Sequence, residues 1–363
     1  MSSGAKASVG GVVLAGVHRW NDAPFDAALP RPLVPIGQSP LIAYSLQWMA
    51  EGGISNVMIC ANSASRAVRR RLGDGTSLGL HLDYYEDWTP RGPAGCARDA
   101  TAFSEAGQLV IVEGTILPRI DLLELMAEHQ RSGAVMTVVV QRDANSGNDE
   151  QFEPAGVYVA RRRALEYVPE TGYQDIKEML IPRLHRVGEH VATYSSGEIS
   201  PRITGLASYM AVNGWVLDRA SNGHVRVDHS AEIADDVQIV GPVMIGPRTR
   251  IESGVTIVGP TTIGGECRIE PNCVISRSVL WDHCRVGGSS ILDRCVLTNE
   301  TALPAETRTS EQCFAPRRRR VRRVRKPARA VRPVSVPPRL GDAEVAVRQA
   351  RAGLIGAGQA SQS

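Results

Sequence analysis

The sequence predicts a doubly wound α/β domain, then a parallel β coil of triangular section, then a basic tail without regular structure. Three observations predict it. Apolar, β-branched runs alternate with amphipathic segments over the first two hundred residues. Isoleucine then recurs every six residues from Ile233 to Ile275. Finally, ten basic residues and no acid fill Arg317 to Arg332.

The α/β elements follow in order. "VGGVVLAG", from Val9 to Gly16, is a short apolar run ended by glycine and reads as a buried strand. "PLIAYSLQWMAEGG" reads as a helix, with Leu41, Ile42, Ser45, Leu46 and Met49 near one face and Gly52-Gly53 as its stop. "NVMICAN" is the next strand and "SRAVRRRLGDG" the next helix, stopped at Gly73. "GQLVIVEG", "DLLELMAEHQRSG" and "AVMTVVVQ" continue as strand, helix and strand. This alternation calls for a mostly parallel sheet covered by helices on both faces.

The six-residue beat places isoleucine at 233, 239, 245, 251, 257, 263, 269 and 275. A helix has no use for a period of six. A three-sided coil does: each hexad forms one flat side, its isoleucine points inward, and stacked coils bury a column that one coil could not bury alone. The beat weakens through Trp281 to Leu303, which reads as a terminal cap. Domain boundaries are expected at 1–222 for the α/β domain, 223–310 for the coil and 311–363 for a disordered, arginine-rich tail.

The 363 residues suffice for two cores, and the apolar and charged fractions, 43% and 22%, are those of a globular protein. The net charge of +3 hides an asymmetry: without the ten basic residues of the tail the remainder carries −7. No run is apolar enough to span a bilayer, and the N-terminus has no signal-type segment, so a cytoplasmic location is expected. The seven cysteines form no CxxC pair, which argues against a zinc site or a disulfide framework. His18, His81, His129, His185 and His190 lack metal-type spacing and read as core or surface residues. His283 reads as structural, and Ser45 and Cys60 have no base nearby in sequence.

The segment "VLAGVHRWNDAPFDAALPRPLVPIG" resembles the start of the sugar-1-phosphate nucleotidylyltransferases, which run L-A-[AG]-G-x-G-T-R-L-x-P and then P-K-P-L-[VM]-P-[VI]. Leu14-Ala15-Gly16, Pro24 and Pro30-Arg31-Pro32-Leu33-Val34-Pro35-Ile36 fall on that frame without a gap. Gly92-Pro93-Ala94-Gly95, Ala155-Gly156-Val157-Tyr158, Asp175-Ile176-Lys177-Glu178, Leu180-Ile181-Pro182, Tyr209 and Asn213 follow in the family's order. The chain is most similar to the mannose-1-phosphate guanylyltransferase type, across residues 9 to 305. The resemblance implies a Rossmann-like nucleotidyltransferase domain and a left-handed β-helix. It also implies attack of a sugar-1-phosphate on a nucleoside triphosphate, with release of pyrophosphate and help from magnesium.

On that resemblance Leu14, Ala15, Gly16, Arg31 and Gly92 would contact a nucleotide, and Gly156 a sugar. The same frame exposes losses. The loop glycines fall on Val17 and Arg19, the threonine on Trp20 and the signature arginine on Asn21. The lysine of P-K-P is Arg31, which keeps the charge in another shape. The two metal-binding aspartates fall on Thr115 and Arg202, and the hairpin bearing the sugar-phosphate lysine is missing. Asp22, Glu113 and Asp121 are the nearby carboxylates that could substitute as ligands.

Three readings follow. One is a catalytically degenerate, regulatory or scaffolding paralogue in NDP-sugar and polysaccharide precursor supply. It needs no cofactor and assembles as a homo-oligomer or with an active nucleotidylyltransferase, and a nucleotide or NDP-sugar is a candidate ligand. The second is an active enzyme with shifted magnesium ligands. The third is an anion-binding protein in which the arginine tail takes a polyanion.

Overall fold

The computed structural model describes residues 8–16, 29–61, 65–86, 89–102, 104–142, 151–221 and 224–316. The phosphate-loop positions Val17 to Asp22 and the arginine tail from Arg317 lie outside the described residues.

Seven strands build the first domain: β1 (Val9–Leu14), β2 (Asn56–Ala61), β3 (His81–Glu86), β4 (Gln108–Glu113), β5 (Met136–Arg142), β6 (Phe152–Arg161) and β7 (Val191–Ser195). They are ordered β3-β2-β1-β4-β6-β5-β7. Neighbours run parallel except that β6 is antiparallel to both β4 and β5. Among the described residues seven α-helices accompany them: α1 (Leu41–Glu51), α2 (Ser65–Leu72), α3 (Gly92–Thr101), α4 (Leu122–Ser132), α5 (Arg162–Glu166), α6 (Ile181–Arg186) and α7 (Leu206–Ser221).

Successive residues of a strand face opposite sides, so an unbroken apolar strand feeds two cores. In β1, Val13 joins Ile42 and Leu46 of α1 and Leu125 of α4 on one face. Val12 joins Ala97 of α3 and Leu184 of α6 on the other. Gly11 lies where α1 comes closest: a Cβ there would sit 2.7 Å from the Met49 sulfur. The expected strands and helices of this domain are present. β3, β6 and β7 are additional. "HLDYYE" alternates too weakly to stand out, and β6 entered the sequence reading only as the A-G-V-Y motif.

The second domain is a parallel β-helix whose strands run from Val225–Val227 to Cys313–Phe314 in three sheets. Its inward columns follow the isoleucine beat. Ile233, Ile251, Ile269, Val286 and Leu303 stack along one side. Ile239, Ile257, Ile275 and Leu292 stack along the second. Ile245, Ile263, Leu280, Leu297 and Phe314 stack along the third.

The beat does not decay into a cap after Ile275. It drops one residue: Ile245 pairs with Ile263, but the next strand pairs Ile263 with Leu280. Coils then repeat at the shorter interval with leucine and valine inward, beyond the boundary drawn at 310. The corners hold this register with left-handed residues in stacked positions, such as Arg248, Glu266, His283 and Glu300. His283 is thus a corner residue, and its Nδ1 lies 3.0 Å from Glu266. The buried thiols Cys267, Cys273, Cys284 and Cys295 are free and line the coil interior.

The two domains share a core. Val34, Ile36 and Leu41 of the first, with Tyr209, Val212 and Val216 of α7, pack against Val279, Trp281 and Val296 of the β-helix. Trp281 is buried at this junction, so it joins the domains instead of capping the solenoid. Among the described residues no helix is long and apolar enough to cross a membrane.

Candidate functional site

In an open α/β sheet the crevice for a ligand lies beyond the C-terminal ends of the central parallel strands. Here those ends belong to β1 and β4, where Leu14 and Glu113 are register partners. Ala15 leaves β1 with its N–H on the Cys60 carbonyl at 2.8 Å, and the Gly114 N–H donates to the Leu14 carbonyl at 3.0 Å. Among the described residues nothing stands within 4 Å of where a Cβ on Gly16 would be.

Thr115 and Arg202, 87 positions apart in the chain by their numbering, meet at this point. The Ile203 N–H donates to the Thr115 carbonyl at 3.1 Å, and the Leu117 N–H to the Pro201 carbonyl at 2.9 Å. The bridge between Ile116 and Arg202 delivers the Arg202 guanidinium onto the Glu113 carboxylate, Nη1 against Oε2. Lys177 approaches the other carboxylate oxygen, with Nζ 3.6 Å from Oε1. Side-chain exposure is 31% for Arg202, 24% for Glu113 and 40% for Lys177, so the cluster faces the crevice and is not sealed in the core.

Gly156 makes room for this pair. It holds φ +83°, and a Cβ there would lie 2.8 Å from Arg202 Nη2 and 3.0 Å from the Glu113 carboxyl carbon. Its vacant side-chain space is therefore taken by Arg202 and Glu113. Beneath them lies Tyr158 on β6. Burial pushes its hydroxyl pKa up, and the Glu113 charge adds to that.

Lys177 is held by a chain of local devices. The Asp175 side chain accepts from the Lys177 and Glu178 N–H groups at 2.7 and 2.9 Å, capping the short helix that begins at Ile176. The loop before it is tied to α3 by Arg91, whose Nε pairs with Asp99 at 3.0 Å while its guanidinium donates to the Gly172 and Pro169 carbonyls. Gly92, at φ +71°, lets this loop close, because a Cβ would meet the Gln174 carbonyl oxygen at 2.5 Å. At Gly92, then, the close backbone neighbour is the chain's own Gln174.

These residues do not fit a divalent metal. Glu113 is the carboxylate at the site, and two cations hold its oxygens. Asp121 is the N-cap of α4, accepting from the Glu124 N–H at 3.0 Å, which corrects its candidacy as a substitute ligand. Glu113 fails that candidacy for the ion pairs just given. Among the described residues no group of three or more His, Cys, Asp or Glu could hold a metal ion. Asn21 and Asp22 lie outside the described residues, and Arg31 opens a one-turn helix, Arg31–Leu33. β5 runs to Arg142 and β6 starts at Phe152, which leaves residues 143–151 for the family's lysine-bearing hairpin. A separate crevice of about 410 Å³ lies between Leu33, Gln38 and Trp281 and the coil at Gly264–Gly265. Its described lining residues include none of the site positions.

The alignment places Thr115 and Arg202 together. It does not reveal that Glu113 would become their partner, or that Lys177 would reach the same carboxylate. Only a charge-complementary reading of Arg202 against the acid two residues before Thr115 could have signalled the first.

The fold and the strand-end crevice define an α/β nucleotidyltransferase domain fused to a β-helix. Comparison with known proteins agrees: the nucleotidyl transferase family model matches residues 13–148. Over that stretch the chain is similar to the nucleotidyl transferases, and its curated relatives support the resemblance to the sugar-1-phosphate nucleotidyltransferases. It is 24% identical over 335 residues to a UTP–glucose-1-phosphate uridylyltransferase of Synechocystis, covering 78% of this chain and 86% of the relative. It is 23% identical over 281 residues to the mannose-1-phosphate guanylyltransferase of Mycobacterium tuberculosis, covering 67% and 78%. These relatives are named for different nucleotides and sugars.

Proposed function

We propose that this chain is a sugar-1-phosphate nucleotidylyltransferase-like protein that does not use the magnesium-dependent route, and that it serves NDP-sugar metabolism as a regulatory or scaffolding paralogue. The observation that carries this reading is the Arg202–Glu113 ion pair, formed by the arginine that the resemblance aligns with a metal-binding aspartate of the family. Transfer of a nucleotidyl group rests on positioning and on cationic stabilisation of the phosphoryl oxygens. A guanidinium already engaged by a carboxylate offers less of that than an open divalent ion. Replacement of the loop glycines by Val17 and Arg19 points the same way, since a Cβ obstructs close approach of backbone to phosphate.

What the sequence keeps is surface. The β-helix is joined to the α/β domain through the shared core at Trp281. On this reading it associates with itself or with an active nucleotidylyltransferase, and the tail from Arg317 adds a salt-sensitive contact to an acidic partner. Sedimentation velocity, on the chain alone and mixed with an active family member from the same cell, tests this. A complex in either sample supports it. A monomer in both, well above micromolar concentration, contradicts it.

A further inference from the structure

We infer that the crevice at the ends of β1 and β4 binds a diphosphate group without a divalent metal, with Arg202 and Lys177 standing where the metal would. The inference rests on the family reading above and concerns the same site.

The argument is one of charge and donors. Arg202, Lys177 and Glu113 form a cluster with two positive charges and one negative, so one positive charge is left over at the crevice. A guanidinium carries five N–H donors and an ammonium three. Glu113 engages Arg202 through Nη1 and Lys177 at 3.6 Å, which leaves further donors on both side chains. All three side chains are partly exposed, so a ligand reaches them without unfolding the site.

Glu113 has a positive role here. It holds the guanidinium beside Gly156, whose φ of +83° favours glycine and whose missing side chain leaves room for it. A tethered guanidinium is preorganised for oxygen acceptors, and charge-assisted hydrogen bonds of this kind are the strong ones. The same chemistry disfavours a metal, because a dication would have to displace two cations from one carboxylate.

Two sources supply a diphosphate: a nucleoside diphosphate-sugar, or free inorganic pyrophosphate. Titration calorimetry of the full chain with UDP-glucose, GDP-mannose and pyrophosphate, each in magnesium and in EDTA, separates them. The expected result is binding of at least one ligand with a Kd that agrees within about twofold between the two buffers. Tighter binding of a sugar nucleotide than of pyrophosphate assigns the site to the former, and the reverse order to the latter.

Arg202→Gln is expected to weaken that binding by roughly tenfold or more, as for loss of a charged hydrogen-bond donor. Lys177→Gln, on an exposed helical position, is expected to weaken it by a smaller factor while near-ultraviolet circular dichroism stays unchanged. Binding that requires magnesium overturns the inference. So does absence of binding by all three ligands in both buffers, or an affinity unchanged in both variants. Pyrophosphate release in a separate turnover assay would remove the non-catalytic reading, while the EDTA titration still decides the metal-free site.

Discussion

The indole Nε1 of Trp281 donates to the hydroxyl of Tyr209 at 2.8 Å, and that hydroxyl donates in turn to the Pro35 carbonyl at 2.6 Å. One line of hydrogen bonds therefore joins the β-helix, the last helix of the α/β domain and the segment that follows the phosphate loop. Both rings are buried, and they meet edge to face with centroids 6.4 Å apart.

Tyr209→Phe keeps the ring and removes the hydroxyl, which takes away the acceptor of the Trp281 Nε1 bond and the donor to the Pro35 carbonyl. Each buried group left unsatisfied costs about 1–3 kcal/mol. The expected outcome is a clear loss in chemical-denaturation stability, together with earlier separation of the two domains in limited proteolysis. A variant as stable as the parent would show that the junction is held by apolar packing alone.

The β-helix column gives a sharper contrast. Ile257 is fully buried between Ile239 and Ile275, whereas its neighbour Thr256 is only half-buried. Ile257→Asp places an unpaired charge among apolar side chains and is expected to cost several kcal/mol, or about 3 and more. Thr256→Asp is expected to stay within about 1 kcal/mol. Melting curves of the two variants check this, and equal melting temperatures would contradict the inward assignment.

His129 supplies a pH dependence. Its side chain is buried, Nδ1 lies 2.7 Å from the Thr137 hydroxyl, and Nε2 has no hydrogen-bond partner among the described residues. Burial, helped by the Arg161 charge, pushes its pKa from 6.5 down to about 4. Between those values the unfolded chain takes up a proton that the folded chain does not. Stability should therefore fall as pH falls from about 6.5 to about 4 and stop falling from this cause below that. His129→Gln should flatten that part of the stability profile relative to the parent. An unchanged slope would mean that other groups set it.

Much of the architecture was legible because it rests on periodicity. The isoleucine spacing from Ile233 to Ile275 can be satisfied by few structures other than a three-sided coil, and the apolar run Val9–Leu14 can be buried on both faces only in a covered sheet. The change at Leu280 was not legible, because shortening a coil by one residue and replacing isoleucine with leucine both erase the beat while the inward column continues. β3 was missed for a related reason: His81, Asp83 and Glu86 dilute an edge strand that is paired with β2 alone. At the site, the family resemblance singled out Thr115 and Arg202. The ion pairs to Glu113 depend on where two side chains point in space, which spacing does not encode.

Restoring the two aspartates should not restore a catalyst. Thr115→Asp with Arg202→Asp supplies carboxylates, yet leaves Val17, Trp20 and Asn21 in the phosphate-loop frame and Lys177 beside Glu113. Pyrophosphate release by the double variant is expected to remain at assay background in millimolar magnesium. Turnover would show that the metal positions alone separate this chain from an active enzyme.

The central claim is that Arg202 on Glu113 replaces magnesium-dependent transfer, and pyrophosphate release by the unmodified chain tests it most directly. The assay pairs GTP, ATP, UTP and dTTP with mannose-1-phosphate and glucose-1-phosphate, in magnesium and in EDTA. The account predicts no release above background for any pair. Turnover in the ordinary enzyme range, on the order of 1–1000 per second, and dependent on magnesium, would contradict it.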